Sequence, residues 1–413
     1  MFAAIGVALI AIVAWWRIGI IAFFILCGVS IFKMLYTKQF INRKLSVTQK
    51  VCLWSMIAYW ILYAISAFVS TNHAGGWFNA TIKLYFFILP ILCLLSDTSY
   101  LTSSRIKALF QIYTGALLVR FAACVVISGI HLLQGIPFSE VKDWQIDPLG
   151  MHHNYLALYL DVAIAFLYAF VAQTPKSERR RRLPVVALAA AILIGYLFII
   201  SSRSGILTFA LLFFVVLIHM AFFHRQKKTA LLILLLSGVL LVGSYFVMPS
   251  LFSSFAVVKN WDENHVPNDR LITWTCGMKA TRGHLLFGYG TGDYMPYLVD
   301  AFKERGFYRA IDKGYNTHCE YIETLLQTGL VGLVILLFVL LAPMVASLRR
   351  NGRNLTAVLV IIVILSMNLY EAMLNRQMGV QLIALVYCLL ILSLTPSGKD
   401  IIVASRPSQS DVS

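Results

Sequence analysis

Long apolar runs recur from one end of this chain to the other, and they constrain the fold more than any other feature. Each run is about 20 residues long, which is the length at which an α-helix crosses the hydrocarbon core of a bilayer. The chain is 60% hydrophobic and only 13% charged, too little polar surface for a protein surrounded by water. Backbone polar groups in lipid must be satisfied within the segment. The sequence therefore predicts an all-α, polytopic membrane protein.

We expect about twelve membrane-spanning helices. The first two are separated only by Trp15-Trp16-Arg17, so residues 1–36 form either two short spans or one long helix. The predicted spans are 2–16, 18–36, 51–70, 77–96, 107–130, 152–172, 184–200, 204–223, 230–249, 319–347, 355–372 and 377–395.

Basic residues concentrate in alternate loops between these spans. The loops 37–50, 173–183, 224–229 and 348–354 are rich in Lys and Arg and almost free of acids, whereas the loops between them are neutral or acidic. Short basic loops remain in the cytoplasm, so both termini are predicted there too. Because these loops hold most of the net charge of +16, we predict membrane lipids and no nucleic acid as partners.

One long hydrophilic segment faces the other side. It divides the chain into transmembrane helices 1–9 (residues 1–249), a large loop on the outward side (250–318), helices 10–12 (319–396) and a cytoplasmic tail (397–413). Pro267-Asn268-Asp269 is a helix-start signal, and apolar side chains follow at helical spacing. We therefore expect an amphipathic helix over 269–282 at the membrane surface, and a backbone bend at Gly288–Gly292.

Two arginines are candidates for binding an anion. Arg203 lies where one predicted span ends and the next begins, flanked by serines and Gly205. A helix N-terminus and a guanidinium both favour phosphate oxygens. An interfacial anchor for the helix is the alternative at Arg203. Arg270 opens the predicted loop helix, with Trp274 one turn further along, and a solvated surface charge is the alternative there.

His318 precedes a strongly apolar span and shares a helical face with Tyr321. Neutral imidazole is a competent general base near pH 7, although a purely structural interfacial histidine fits as well. Glu320 and Glu323 are possible orienting partners for His318. Gly329 and Gly332 allow another helix to approach closely.

Ionisable residues inside the predicted spans are functional candidates because burying them is costly. Lys83 lies near enough to the outward end to reach the same cavity as Arg203, whereas Arg120 and Asp161 are deeper and could pair with each other. His153 and Asn154 begin another span at the outward face, and Arg376 begins the last one. Since no metal-binding motif occurs, we predict no metal ion and no cofactor.

Four motifs on the predicted outward face together resemble the O-antigen ligase and polymerase superfamily. Arg203-Ser-Gly-Ile-Leu207 matches its Arg-x3-Leu pattern, and His318 with Gly329 matches its His-x10-Gly pattern. Asn268–Trp274 with Phe287–Gly292 is similar to the start of its large periplasmic loop, and His152–Ala157 to an outward helix start.

The resemblance implies a GT-C-like glycosyltransferase of the bacterial inner membrane with a periplasmic active site. Its donor is a glycan carried on undecaprenyl pyrophosphate, and the acceptor of a ligase is lipid A–core or another glycan. The implied reaction inverts the anomeric carbon and uses neither a nucleotide sugar nor a metal ion. The implied catalytic residues are His318, Arg203 and Arg270, and we expect Lys83, Trp274, Tyr321, His153 and Asn154 to bind substrate.

The acceptor is left open by the motifs. Cys319 stands where many members have a small polar residue. The single dominant outward loop favours a ligase over a polymerase or a protein O-oligosaccharyltransferase of the same superfamily. A transporter or flippase is the alternative from another class, but it predicts two similar halves and helices broken at the midplane, which the sequence does not suggest.

Overall fold

A computed structural model describes residues 1–137, 151–222, 269–349 and 354–394, with short stretches at 227–228, 231–235 and 238. Every regular element within these ranges is a helix. The α-helices are α1 (Phe2–Ala14), α2 (Trp16–Thr37), α3 (Val47–Val69), α4 (His73–Ile82), α5 (Tyr85–Leu95), α6 (Ser103–Leu133), α7 (His153–Gln173), α8 (Lys176–Ile199), α9 (Arg203–Phe222), α10 (Asp269–Ala280), α11 (Tyr294–Glu304), α12 (Tyr308–Asp312), α13 (Glu320–Leu348), α14 (Leu355–Tyr370) and α15 (Gln377–Leu392). Short 3₁₀ turns occupy Thr281–Gly283 and Met373–Asn375.

Seven of the described helices are long and apolar enough to cross a membrane, or eight if the bent pair α4 and α5 counts as one span. This confirms a multi-pass, all-α protein. The twelve predicted spans and the GT-C-like architecture are not confirmed. The predicted helices α1, α14 and α15 contain only 13, 16 and 16 residues, which at 1.5 Å per residue is shorter than the hydrocarbon core.

Several predictions fall outside the described residues. They concern most of the span 230–249, the first part of the large loop and the tail 397–413.

Residues 1–36 are described, and they form two helices. Trp15 separates α1 from α2 with an extended backbone at φ −162° and ψ 125°, and α1 packs back against both α2 and α6.

α7 lies at the centre of the bundle and is the most buried of the span-capable helices. It contacts α6, α8, α9, α14 and α15. Every residue from Asn154 to Leu167 is buried, so its whole circumference is packed against other helices. The His153 end of α7, the Arg203 end of α9 and the Tyr370 end of α14 are consequently held close together.

The hydrophilic segment between α9 and α13 contains the predicted helix, here α10, followed by α11 and α12. Leu298 and Phe302 of α11 are fully buried in a small second core with Cys276 of α10. α10 also packs on α13. Since α13 continues into the membrane, this small domain is fixed directly to a span.

Candidate active site

His318 lies in the short connection immediately before α13, in a constrained backbone conformation. Its φ is +49°, a region that non-glycine residues seldom adopt, although His is among those enriched there. Its amide donates to Asn316 Oδ1 at 3.0 Å, and its carbonyl accepts from Trp274 Nε1 at 3.3 Å. The edge of the ring meets Tyr315. With 25% of the side chain exposed, the imidazole is fixed yet accessible.

Glu371, the residue that follows α14, contacts the ring of His318. Its Oε1 lies 3.0 Å from His318 Nδ1. Burial raises the pKa of this carboxyl, but hydrogen bonds from His318 and Asn154 and the charge of Arg270 lower the pKa to about 2. A carboxylate can only accept, so Nδ1 carries a proton, and in the neutral form of the imidazole Nε2 keeps its lone pair.

The second oxygen of Glu371 connects this pair to the Arg203 motif. Asn154 Nδ2 donates to Glu371 Oε2 at 2.7 Å. The side-chain oxygen of Asn154 in turn accepts from Ser202 Oγ at 3.0 Å and from Ser204 Oγ at 2.9 Å. Asn154 and both serines are buried. A continuous hydrogen-bonded chain thus joins the histidine to the two residues that flank Arg203.

The local backbone explains why this motif contains its small residues. Ser201 has a φ of +52°, which turns the chain sharply between α8 and α9. A Cβ on Gly205 would overlap Ala157 Cβ of α7. The close approach of α9 to α7 brings Ser202 and Ser204 within reach of Asn154.

Two arginines carry positive charge to the same place. Arg203 opens α9 and is exposed, while Arg270 in α10 is half-buried. The pKa of Arg270 is lowered by burial, raised by Glu371, and lowered again by the charge of Arg203. The mutual effect means that the two guanidinium groups lie within electrostatic range of each other. An anion between them would relieve this repulsion.

His152 and the charged groups around it border the same region. Burial lowers the pKa of His152; Glu371 acts in the opposite direction, and Arg376, His318 and Arg270 lower it further. We call the set His318, Glu371, Asn154, Arg203 and Arg270 the open cluster. Its charges are one buried carboxylate against two arginines, so its chemistry suits an anionic ligand next to a general base.

A second polar group lies beneath it, and all its ionisable members are fully buried. We call Lys83, Glu320, Glu323 and Asn375 the closed cluster. Lys83 Nζ donates to Asn375 Oδ1 at 2.8 Å, and Asn375 Nδ2 donates to Glu323 Oε1 at 2.8 Å. Lys83 also lies over the ring of Tyr63. The structure therefore does not bring Lys83 beside Arg203.

The two glutamates of the closed cluster do not contact His318, although the sequence suggested them as its orienting partners. Glu323 Oε2 instead accepts from the amide and the hydroxyl of Thr317, at 3.2 and 2.8 Å. Glu320 Oε2 accepts from the amide of Leu374 at 2.8 Å. They hold the chain on either side of the His318–Glu371 pair and so orient the histidine indirectly.

The other predicted site residues have varied surroundings. Trp274 supports the backbone of His318, and Tyr321 donates to Leu365 O at 2.9 Å. His153 stacks on His152 with ring centroids 4.0 Å apart. Arg120 does not pair with Asp161: its Nη1 donates to Val13 O at 2.8 Å, at the carboxyl end of α1.

The sequence reasoning missed Glu371 and Asn375. A signal was available for Glu371, since it is an acidic residue at the outward end of the span predicted over 355–372. Asn375 offered none, because it is an ordinary polar residue of a short connection.

Gly329 was expected to admit another helix. Its φ is +66°, and it breaks α13 where the loop backbone at Leu286 approaches.

The comparisons with known proteins agree with the motifs. Residues 188–337 match the protein family described as O-antigen ligase. "Exopolysaccharide production protein ExoQ" of Rhizobium meliloti (strain 1021) is 33% identical over 86 residues. That alignment covers 20% of this chain and 19% of the relative, so the similarity concerns about a fifth of each protein.

Proposed function

We propose that this chain, whose residues 188–337 match the family described as O-antigen ligase, transfers a glycan from undecaprenyl pyrophosphate to a hydroxyl of lipid A–core. The site lies at the outward, periplasmic ends of helices of a bacterial inner-membrane protein. The one observation that carries the proposal is the geometry of His318. Its Nδ1 is engaged by Glu371, and its other nitrogen is left for a proton at the end of the bundle where two arginines meet.

The proposed reaction is a single displacement at the anomeric carbon. The acceptor oxygen forms the new bond, its proton passes to Nε2 of His318, and the bond from the anomeric carbon to the pyrophosphate oxygen breaks. The electron pair leaves with undecaprenyl pyrophosphate. Attack opposite the leaving group inverts the anomeric configuration. Glu371 holds the ring in place and stabilises the imidazolium that forms.

Arg203 and Arg270 bind the pyrophosphate in this mechanism. Negative charge grows on the leaving group in the transition state, and fixed cations at that point lower the barrier. Burial is the main cause of the lowered pKa of Arg270, but the charge of Arg203 contributes to it, and an anion between these two cations would stabilise both. Asn154 and Trp274 position the site through Glu371 and the His318 backbone, while His153 and Tyr321 remain candidates for substrate contact.

The relative named for exopolysaccharide production favours a second candidate. A polymerase would use the same donor and the same base, with a second lipid-linked repeat as the acceptor. The two candidates differ in the acceptor alone. The two candidates can therefore be distinguished only by identifying the product of the reaction.

We test the proposal in a ligase-deficient Gram-negative host that is supplied with this chain's glycan pathway. Wild type should restore long-chain lipopolysaccharide bands, and His318→Ala should reduce transfer about 10²- to 10⁴-fold because the general base is lost. His73→Ala is the matched control, an exposed histidine at the same end of the bundle. Longer lipid-linked repeats without new lipopolysaccharide bands would favour the polymerase. Full transfer by folded His318→Ala would exclude this base in either reaction.

A further inference from the structure

The small domain that contains α10, α11 and α12 is called the outer domain, and an apolar finger, residues 284–290, projects from it beside the break in α13. Its three consecutive apolar side chains are exposed: Leu285 by 47%, Leu286 by 56% and Phe287 by 69%. Leaving these side chains in water is costly. The backbone of the finger is nevertheless fixed by specific contacts, so the fold itself keeps these apolar side chains exposed.

The finger is paired to α13 by backbone hydrogen bonds. Leu330 N donates to Leu285 O at 2.9 Å, and Tyr289 N donates to Leu326 O at 2.8 Å. Two glycines make this approach possible. Gly288 and Gly329 have φ of +69° and +66°, and a Cβ on either would overlap the backbone of the facing segment.

The other side of the finger is supported by aromatic rings. Tyr289 stacks on Tyr297 of α11 with centroids 3.7 Å apart, and His284 lies 4.4 Å from Tyr289. Tyr289 also donates to Ala280 O at 2.7 Å. With one side held by α13 and another by these rings, the exposed apolar side chains are aimed away from the protein.

The finger continues the exposed apolar stripe of α13. Leu330, Val334 and Phe338 lie on one face of this span with 38%, 63% and 49% exposure, and in a multi-pass protein such a face contacts lipid. Because the finger is bonded directly to Leu330 and Val331, its side chains begin where that stripe begins.

Contacts with α3 give the depth of the finger. Thr291 N donates to Ser66 Oγ at 3.0 Å, and Gly292 N donates to Ser70 Oγ at 3.1 Å. The finger is thus level with the last turn of α3, where Phe68 and Val69 are 73% and 70% exposed. This is the upper boundary of the apolar belt of the bundle.

We propose that residues 285–287 insert into the bilayer at this boundary and anchor the outer domain to the membrane surface. The partner is the acyl-chain and headgroup region of the lipid. α10 ends at Ala280, and a single 3₁₀ turn connects it to the finger. Insertion therefore sets the height of α10 and Arg270 over the membrane; the consequence for catalysis, unlike the insertion, rests on the proposed function.

The direct test measures what surrounds position 287 in the full-length protein. p-Acetylphenylalanine is placed at 287, and in a matched control at Tyr308, an exposed aromatic residue of the same domain. Each ketone is coupled to a nitroxide, and the protein is reconstituted in phosphatidylcholine–phosphatidylglycerol vesicles. Accessibility to oxygen, which partitions into lipid, is compared with accessibility to a water-soluble nickel chelate.

The expected ratio of oxygen to nickel accessibility is several-fold higher at 287 than at 308. Equal ratios would show that the finger lies in water, and low accessibility to both reagents would show that protein covers it; either result overturns the proposal. A label at 286 repeats the measurement if the first variant does not fold. The readout needs no substrate, so it stands or fails independently of the transferase activity.

A second measurement tests the consequence. Leu286→Ser combined with Phe287→Ser should lower the transfer rate several-fold while His318 and Glu371 remain intact, and Tyr308→Ser should not. If the label reports insertion but the serine variant transfers normally, the anchor exists and does not position the site. If the wild-type protein shows no transfer either, the proposed function is wrong, but the membrane insertion reported by the label still stands.

Discussion

The open and closed clusters use the same kinds of residue and differ in access to solvent. His318 is 25% exposed and Arg203 is exposed, whereas Lys83, Glu320 and Glu323 are completely buried. In the closed cluster the polar atoms bind one another and the backbone. In the open cluster the side chains of His318 and Arg203 keep surface that a ligand can reach. Exposure rather than residue type separates the group suited to chemistry from the group suited to support.

The two clusters are nevertheless mechanically joined. Thr317, which is bound by Glu323, directly precedes His318, and the Leu374 amide bound by Glu320 lies three residues after Glu371. A shift of the closed cluster would therefore move both halves of the His318–Glu371 pair. This arrangement leads to predictions that separate a loss of support from a loss of chemistry.

The largest expected effect is a loss of stability from Lys83→Met. Removing the cation leaves two buried carboxyl groups without their positive neighbour, which costs about 3–5 kcal/mol for a buried ion pair. Thermal unfolding in detergent measures the effect, and Lys313→Met, an exposed lysine of the outer domain, serves as the control. Unchanged stability combined with weaker donor binding would instead support the substrate-binding role predicted from the sequence.

The surroundings of Lys83 could not be predicted from the sequence. Hydropathy predicted twelve spans, of which the described residues show seven or eight helices of sufficient length, and the spacing from the predicted outward end placed this lysine near the surface. The chain, however, breaks between α4 and α5 with a bend of 47°, and this break turns Lys83 toward Asn375. No periodicity in the sequence encodes the direction of such a break, since it depends on packing against α3 and α15.

The open cluster was predicted more fully because its motifs are local. Arg203, Arg270, Asn154 and His318 were all expected on one face of the membrane, and the structure brings them together. Their connection was not predicted, because Glu371 lies 53 positions beyond His318 in the chain. Such a pairing is set by the packing of α14 against α7, which no single motif records.

Removal of the arginines is the next effect in size. Arg203→Ala and Arg270→Ala should each lower the rate of transfer about 10²- to 10³-fold, as the loss of one charge-stabilising group does, and for the exposed Arg203 this should happen without a change in stability. Arg203→Lys should recover part of the rate because the charge remains but the planar fork is lost. Arg282→Ala, exposed in the same domain, should be neutral. Equal losses for Arg282→Ala would mean that only net charge matters.

Glu371→Gln should lower the transfer rate about 100-fold, because an amide no longer fixes the tautomer of His318 or stabilises its imidazolium. The transfer rates of wild type and of the purified, folded variant measure this loss. An unchanged rate would contradict the assignment.

The same variant has an effect on stability that depends on pH. The pKa of Glu371 lies at about 2, below its ordinary value of 4.5, so the carboxylate stabilises the fold above pH 4.5 and this contribution is lost as the pH falls toward 2. A shift of this size corresponds to about 3 kcal/mol. The difference in stability between wild type and Glu371→Gln should therefore shrink between pH 6 and pH 3.

The smallest predicted effect concerns the two serines that hold Asn154. Ser202→Ala or Ser204→Ala alone should cost about 1 kcal/mol, or roughly a fivefold loss of transfer rate, because the other hydroxyl still binds the amide oxygen. The double variant should cost more than the sum, since Asn154 is then free to turn away from Glu371. A double-mutant cycle on the transfer rate measures this coupling, and Ser103→Ala at the opposite end of the bundle is the control. Strict additivity would mean that the two serines act independently, and that the hydrogen-bonded chain from Ser202 and Ser204 through Asn154 to the His318–Glu371 pair does not couple the Arg203 motif to the base.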